Sequence, residues 1–347
     1  MRTGLSSRYL ELDGLRGIAA GSVVLYHLFH LYDVYFDPAG DRPVVEFSLG
    51  FYGVHLFFLI SGYVILLTAQ RGDAVDFAVS RVSRLYPTYW ACLTLSWVVV
   101  LVAGVGGLFR SPLEIAVNYS MVQRLVGVRS VDGAYWSLSV EIVFYALVFV
   151  LLAWLGTLTA GTVRRVVVGW LALSVLVAAA SRALPGSRLL DLVQVVTVTE
   201  YAALFSTGML LLLSRRSGRV EPLTALSVVV GFAVTWSLQG LSAALVVTAL
   251  SLAFAAVVLV PGVPVLRWRP LVLLGEISFP LYLVHQNVGY VVLERLVGHV
   301  DRTLASVLAV LVVLVLAWGV HHVVEVPASR WVRRSLRAVL RRDAAPA

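Results

Sequence analysis

The chain has no lysine, a single cysteine and few charges. All 27 of its basic residues are arginine, which fits a GC-rich bacterial genome better than any binding role. The lone Cys92 lies in an apolar run, so neither a disulfide framework nor a cysteine-based metal site is available. Charged residues fill only 13% of the 347 positions and hydrophobic ones 60%, with a mean hydropathy of +0.90. That balance lies far outside the soluble globular range and describes an integral membrane protein. The net charge of +8 and isoelectric point near 9.9 would point to nucleic acid in a soluble chain. Here the arginines sit in short connections between apolar runs, where they set orientation in the bilayer, and no nucleic-acid partner is expected. No small-residue cleavage site follows the first apolar stretch, which therefore reads as a retained span.

A spanning helix needs about 20 mostly apolar residues. Ten segments qualify: 12–32, 50–69, 87–109, 136–156, 166–181, 198–213, 222–238, 241–260, 271–293 and 303–324. The expected fold class is all-α, a polytopic integral membrane protein of about ten transmembrane helices. With the N-terminus in the cytoplasm, inside segments carry 18 arginines and outside segments 8, with Arg16 inside the first span. That bias puts both termini in the cytoplasm. The outside segments also hold Asp33, Asp37, Asp41 and Glu46, besides Arg302. No repeat, long linker or soluble domain stands out. The expectation is one membrane domain over 1–327 and a short basic tail over 328–347, lying as an interfacial helix on anionic lipid.

Ionisable side chains at membrane depth are costly, so they usually face an interior cavity and serve function. The first span, LDGLRGIAAGSVVLYHLFH, holds Arg16 and, eleven residues on, His27. At about 100° and 1.5 Å per residue the two share one helix face, about 16 Å apart along the axis. His27, Glu141 and His285 fall at comparable outer depth. Arg16, Glu276, His321, His322 and Glu325 fall toward the inside. Ser278, Tyr282 and His285 follow at spacings of four and three, on one face of the ninth span. Before the third span, in the inside loop, Arg81 and Arg84 in RVSRLYP would offer forked donors suited to phosphate. Plainer readings stand beside these. Loop arginines also serve as topological anchors, and His30, His55, His321 and His322 read as hydrogen-bonded structural groups. Glu276 could pair with Arg16, and Ser61-Gly62 could let a neighbouring helix approach closely.

Taken together, the chain resembles the type 3 acyltransferases, bacterial membrane O-acyltransferases, from Leu12 to about Pro327. The resemblance rests on Arg16 with His27, the FFLISGY segment of residues 57–63, Arg81, Arg84 and Pro87, Trp136-Ser137-Leu138 with Glu141, Ser278, Leu281-Tyr282-Leu283 and His285, and Glu325-Val326-Pro327. Phe279 and Gln286 depart from the pattern, standing where tyrosine and proline are frequent.

The resemblance implies transfer of an acyl group, commonly acetyl, from cytoplasmic acyl-CoA to a hydroxyl on a cell-envelope sugar or, in some members, a small metabolite such as a macrolide. It places the protein in the bacterial inner membrane. Arg16, Arg81 and Arg84 would hold the phosphates of coenzyme A, and His27 would act as general base. Glu141 would orient His27 or stabilise its imidazolium. Tyr282 or His285 would donate to the developing oxyanion, with Ser278, Trp136 and Ser137 beside the acceptor. No metal is expected. An acyl-histidine intermediate remains a variant. A transporter using the same buried charges is the competing class.

Overall fold

The apolar runs fold as helices in a computed structural model that describes residues 3–36, 40–260 and 262–343. Asp37 and the last four residues of the tail lie outside the described residues. In chain order the helices are α1 (Thr3–Tyr26), α2 (Tyr32–Tyr35), α3 (Gly53–Ala69), α4 (Ala74–Ala103), α5 (Pro112–Asn118), α6 (Trp136–Leu155), α7 (Ala160–Ala183) and α8 (Arg188–Thr197). There follow α9 (Ala202–Ser217), α10 (Leu223–Gln239), α11 (Leu241–Leu259), α12 (Arg269–Glu276), α13 (Ser278–Leu296), α14 (Arg302–Val320) and α15 (Val326–Asp343). There is no β-strand among the described residues. Each of the ten apolar segments is helical over most of its length, and among the described residues seven helical stretches are long and apolar enough to cross a bilayer.

Three local departures from the sequence reading have physical causes. The segment with Arg81 and Arg84 is not a loop: it forms the first turns of α4, which runs 30 residues with Pro87 inside it. Proline denies a donor only to the carbonyl four residues back and is tolerated there at the cost of one helical bond. The ninth span breaks at Ile277, between α12 and α13. An unbroken helix would ask the N–H of residue 280 to bond Glu276, and Pro280 has none. Finally, α14 passes through a π-helical turn, His321–Glu325, into α15 without stopping. The tail is thus a helix that continues the last span. Its Arg337 Nη2 lies 3.2 Å from Asp76 Oδ1.

The chain divides into two units. The first comprises Met1–Ala19, Tyr52–Ala74 and Ser137–Leu273. Its centre is the contact of α3 with α9, where backbones meet because side chains are missing. A Cβ at Gly62 would sit 2.1 Å from the Phe205 carbonyl, and one at Gly208 would sit 2.1 Å from the Leu59 carbonyl. The close approach foreseen for Ser61-Gly62 is therefore real. Elsewhere in this unit Glu11 accepts from Arg267 Nη2 at 2.9 Å and Val263 N–H at 2.8 Å, and Arg164 pairs with Glu221.

The second unit comprises Ala20–Phe51, Val75–Trp136 and Leu274–Ala347. Asp33 and Arg302, which read as outside-loop charges, are 1% and 2% exposed here and joined at 2.7 Å. A charge leaves water at high cost unless it is paired, and here each is the other's partner, with Asp33 bonded through Oδ1 alone.

Candidate active site

At the end of α1 the helix widens into a π turn, His27–Leu31, in which the Tyr32 N–H bonds the His27 carbonyl five residues back. Such insertions often mark functional sites. Other groups take up the Leu28 carbonyl: Arg302 Nη2 donates to it at 3.0 Å and Ser306 Oγ at 2.9 Å. The same guanidinium donates from Nε to Asp33 at 2.7 Å and lies over the Tyr32 ring at 5.1 Å. Gly289 of α13 lets the Leu28 side chain pass, since a Cβ there would come within 2.5 Å of it. The turn that carries His27 is thus gripped from α14 and α13.

His27 is 7% exposed, and the residue it meets is His285 of α13, fully buried. His285 Nε2 lies 3.2 Å from His27 Nδ1, with the rings edge-on at 4.7 Å. The protons can be assigned from partners. His285 Nδ1 is 2.8 Å from the Tyr282 carbonyl, which only accepts, so that nitrogen carries hydrogen. Its Nε2 is then the acceptor. His27 Nδ1 is 2.8 Å from the Val23 carbonyl, so it also carries hydrogen, shared between Val23 and His285. The basic lone pair of His27 therefore sits on Nε2, and His285 is placed to accept from the opposite side of the ring.

His285 is itself held by an unusual contact. Asp132 Oδ2 accepts from the Asn287 N–H at 2.9 Å, while the Tyr135 hydroxyl donates to the Leu283 carbonyl at 2.8 Å. Those two backbone groups are the donor and acceptor of one i→i−4 step, so the segment 132–135 engages both ends of that step in α13 around His285. The Tyr282 hydroxyl returns the contact by donating to the Ala134 carbonyl at 2.8 Å, and Asn287 Nδ2 donates to the Val131 carbonyl at 3.0 Å. Gly133 makes room for Gln286, whose Nε2 would lie 2.4 Å from any Cβ at that position. Burial pushes the Asp132 carboxyl up to about 7, against the opposing pull of the Asn287 and Ala134 N–H groups and Arg110.

Of the residues singled out in the sequence, His27, His285 and Tyr282 come together in this unit, with buried Ser278 at the start of the same helix. Trp136 stacks on Phe51 at 6.2 Å, with the Arg124 guanidinium 5.8 Å from its ring centre. Arg81 and Arg84 stand three apart on α4, both half-buried, and Arg81 Nη2 donates to Ser80 Oγ at 3.0 Å. Glu141, Ser137 and Arg16 belong to the other unit. There Glu141 Oε1 accepts from Ser61 Oγ at 2.7 Å and from the Tyr145 hydroxyl. Arg16 Nη1 lies 3.5 Å from Asp13. Sequence reasoning missed Asp132, Tyr135, Asn287, Asp33 and Arg302. The one signal available was Asp132 three residues before Tyr135, at the start of a span.

Helices apolar enough to cross a membrane, no strand among the described residues and a buried histidine pair define a helical membrane protein with ionisable groups held away from bulk water. Comparison with known proteins narrows that class. The family described as "Acyltransferase domain", type 3, matches residues 9–322, and the chain belongs to it. It is also 39% identical over 103 residues to the "Putative peptidoglycan O-acetyltransferase YrhL" of Bacillus subtilis (strain 168), covering 27% of this chain and 14% of that relative. The chain thus spans about a seventh of the relative's length. No solved structure matches. The chain is therefore a multi-pass membrane protein of this acyltransferase family.

Proposed function

We propose that the chain transfers an acyl group, acetyl in the first instance, from cytoplasmic acyl-CoA to a hydroxyl of a cell-envelope carbohydrate. The observation that carries this is the buried 3.2 Å contact of His27 Nδ1 with His285 Nε2, which leaves the base on His27 Nε2. In this reading the acceptor O–H gives its proton to His27 Nε2 as its oxygen attacks the thioester carbonyl carbon. The new C–O bond forms, the C–S bond breaks, and the departing thiolate takes the proton back from His27. While His27 is an imidazolium, its Nδ1–H remains bound to Val23 and His285, so its geometry does not change on protonation.

His285 acts through His27 and is a positioning residue. Its Nδ1–H is committed to Tyr282, and the Tyr282 hydroxyl to Ala134. Either becomes an oxyanion donor only by surrendering that bond. Arg81 and Arg84, three apart on α4, bind the phosphates of coenzyme A. Ten spans with both ends in the cytoplasm of a bacterial inner membrane complete the proposal, and the arginine bias of 18 inside to 8 outside supports it.

The test supplies labelled acetyl-CoA and a crude envelope extract to inside-out vesicles and follows acceptor-dependent thiol release. His27→Ala is expected to lower turnover by about 10²–10⁴-fold, with coenzyme A binding retained. Arg84→Ala is expected to weaken coenzyme A binding instead. No turnover with a panel of acyl-CoAs, together with no coenzyme A affinity in folded protein, would overturn the reading and leave transport to be tested.

A further inference from the structure

In the first unit, α6, α7 and α9 wall a cavity of about 290 Å³ that the proposed reaction does not use. Its lining is hydrocarbon and aromatic, with Leu151, Val163, Val166, Trp170, Leu173 and Met209 prominent and Thr197 the one hydroxyl-bearing residue. Protein interiors contain few voids larger than a water molecule. An apolar cavity of roughly 150 Å³ stays dry and takes up benzene. This one is nearly twice that size, so its fitting occupant is an apolar group larger than one ring.

The shape is elongated. Val163 and Leu173 both line it, ten residues apart on α7, which is about 15 Å of helix. One end is closed by aromatic rings: Phe144, Trp170 and Phe205 stack nearly parallel, with Phe144 and Phe205 at 4.1 Å. That end also stores strain. Val198 stands at φ +53°, a left-handed conformation that β-branched residues avoid. Trp170 Nε1 donates to the Thr197 carbonyl at 2.7 Å and Ser174 Oγ to the Thr199 carbonyl at 2.5 Å, fixing the backbone on both sides. Strain of this kind persists where surroundings over-determine it, typically at ligand sites.

The two openings differ in chemistry. Val150 and Leu173, 57% and 36% exposed, lie on the outer faces of bilayer-crossing helices, so the side of the cavity opens on lipid. The Leu158 end is polar. Gln70 Nε2 donates to the Leu158 carbonyl at 2.7 Å, and exposed Arg216 donates to Gln70 Oε1.

We infer that this cavity binds one hydrocarbon chain of an amphiphile, with the anionic head at Arg216. A bilayer phospholipid and a long-chain acyl donor both have this chemistry. The inference stands independently of the acyl-transfer reading, because lipid binding is measured without turnover.

The experiment is native mass spectrometry of the full chain released from vesicles of phosphatidylglycerol and phosphatidylcholine. One phosphatidylglycerol per chain is expected. Val166→Trp, which fills the slot, should reduce retention at least about tenfold, whereas Leu176→Trp, exposed on the same helix outside the cavity, should retain it. Arg216→Ala should remove the preference for phosphatidylglycerol over phosphatidylcholine. Displacement by added palmitoyl-CoA would assign the cavity to the donor's chain, and lack of displacement would assign it to bilayer lipid. No lipid on the native chain, or equal retention by Val166→Trp, overturns the inference. Should Val166→Trp fail to fold, quenching by chain-brominated phosphatidylglycerol is compared between native protein and Trp170→Phe. Absence of a Trp170-dependent component then overturns it.

Discussion

The contact of α3 with α9 and the contact of α13 with the segment 132–135 are both buried, and they are held by opposite means. The first depends on what is missing. Gly62 and Gly208 let two backbones touch, and the attraction is van der Waals packing of small surfaces. The second depends on what is present: Asp132, Tyr135 and Tyr282 each bond a specified backbone atom of the opposite segment. Small-residue packing brings helices close without aiming any side chain. A donor–acceptor set fixes rotation as well as distance, and it occurs here around the histidine whose lone pair must face His27.

That contrast can be broken most severely at the glycines. Gly62→Leu forces atoms into the Phe205 backbone, and the expected outcome is loss of monodisperse, helical protein by size exclusion and circular dichroism. Gly169→Ala is the control. Nothing lies within 4 Å of a Cβ there, so it should be neutral or stabilising by about 0.5–1 kcal/mol.

Next in size is the buried pair behind the π turn. Arg302→Met leaves Asp33 buried and unpaired, which costs about 3–5 kcal/mol, and the Asp33→Leu/Arg302→Met double variant should recover most of the loss. Thermal unfolding measures stability, and turnover by the double variant shows whether the pair also aims His27. Recovered stability with recovered turnover would mean that it does not.

A smaller effect belongs to Asp132. Its folded-state carboxyl titrates at about 7, above the ordinary value of 3.8, so the folded protein holds a proton that the unfolded chain has lost. Stability from this group is full below the ordinary carboxylate range and falls as pH rises from about 4 to about 7, then levels off. Tm should be higher at pH 5 than at pH 8, and Asp132→Asn should flatten that part of the slope. The smallest effect is expected at the other extreme of burial. Arg337 and Asp76 are 53% and 55% exposed, and Arg337→Ala should change stability by at most about 1 kcal/mol.

Much of the architecture was legible beforehand. Apolar runs of spanning length marked helices because hydropathy and length are local properties, and Ser61-Gly62 was legible as a close approach for the same reason. His27 and His285 could be singled out because an ionisable group in an apolar run is conspicuous. Asp33 and Arg302 could not. Each lies near the end of a span and reads as an outside-loop charge until the fold buries one against the other. Asp132 was equally silent, since an acid before a helix is commonplace.

By itself, then, the sequence determined the membrane class, the helical segments, the family and the histidine at the end of the first span, all encoded in residue type and short-range spacing. Tertiary structure decided that His27 meets His285, 258 positions away, with Nδ1 of one ring 3.2 Å from Nε2 of the other. It also decided how α13 is held at that histidine, through Asp132 acting on Asn287 across 155 positions. Backbone donors and acceptors are identical at almost every residue, so the ones that bond a distant side chain are specified only by what the folded chain brings beside them.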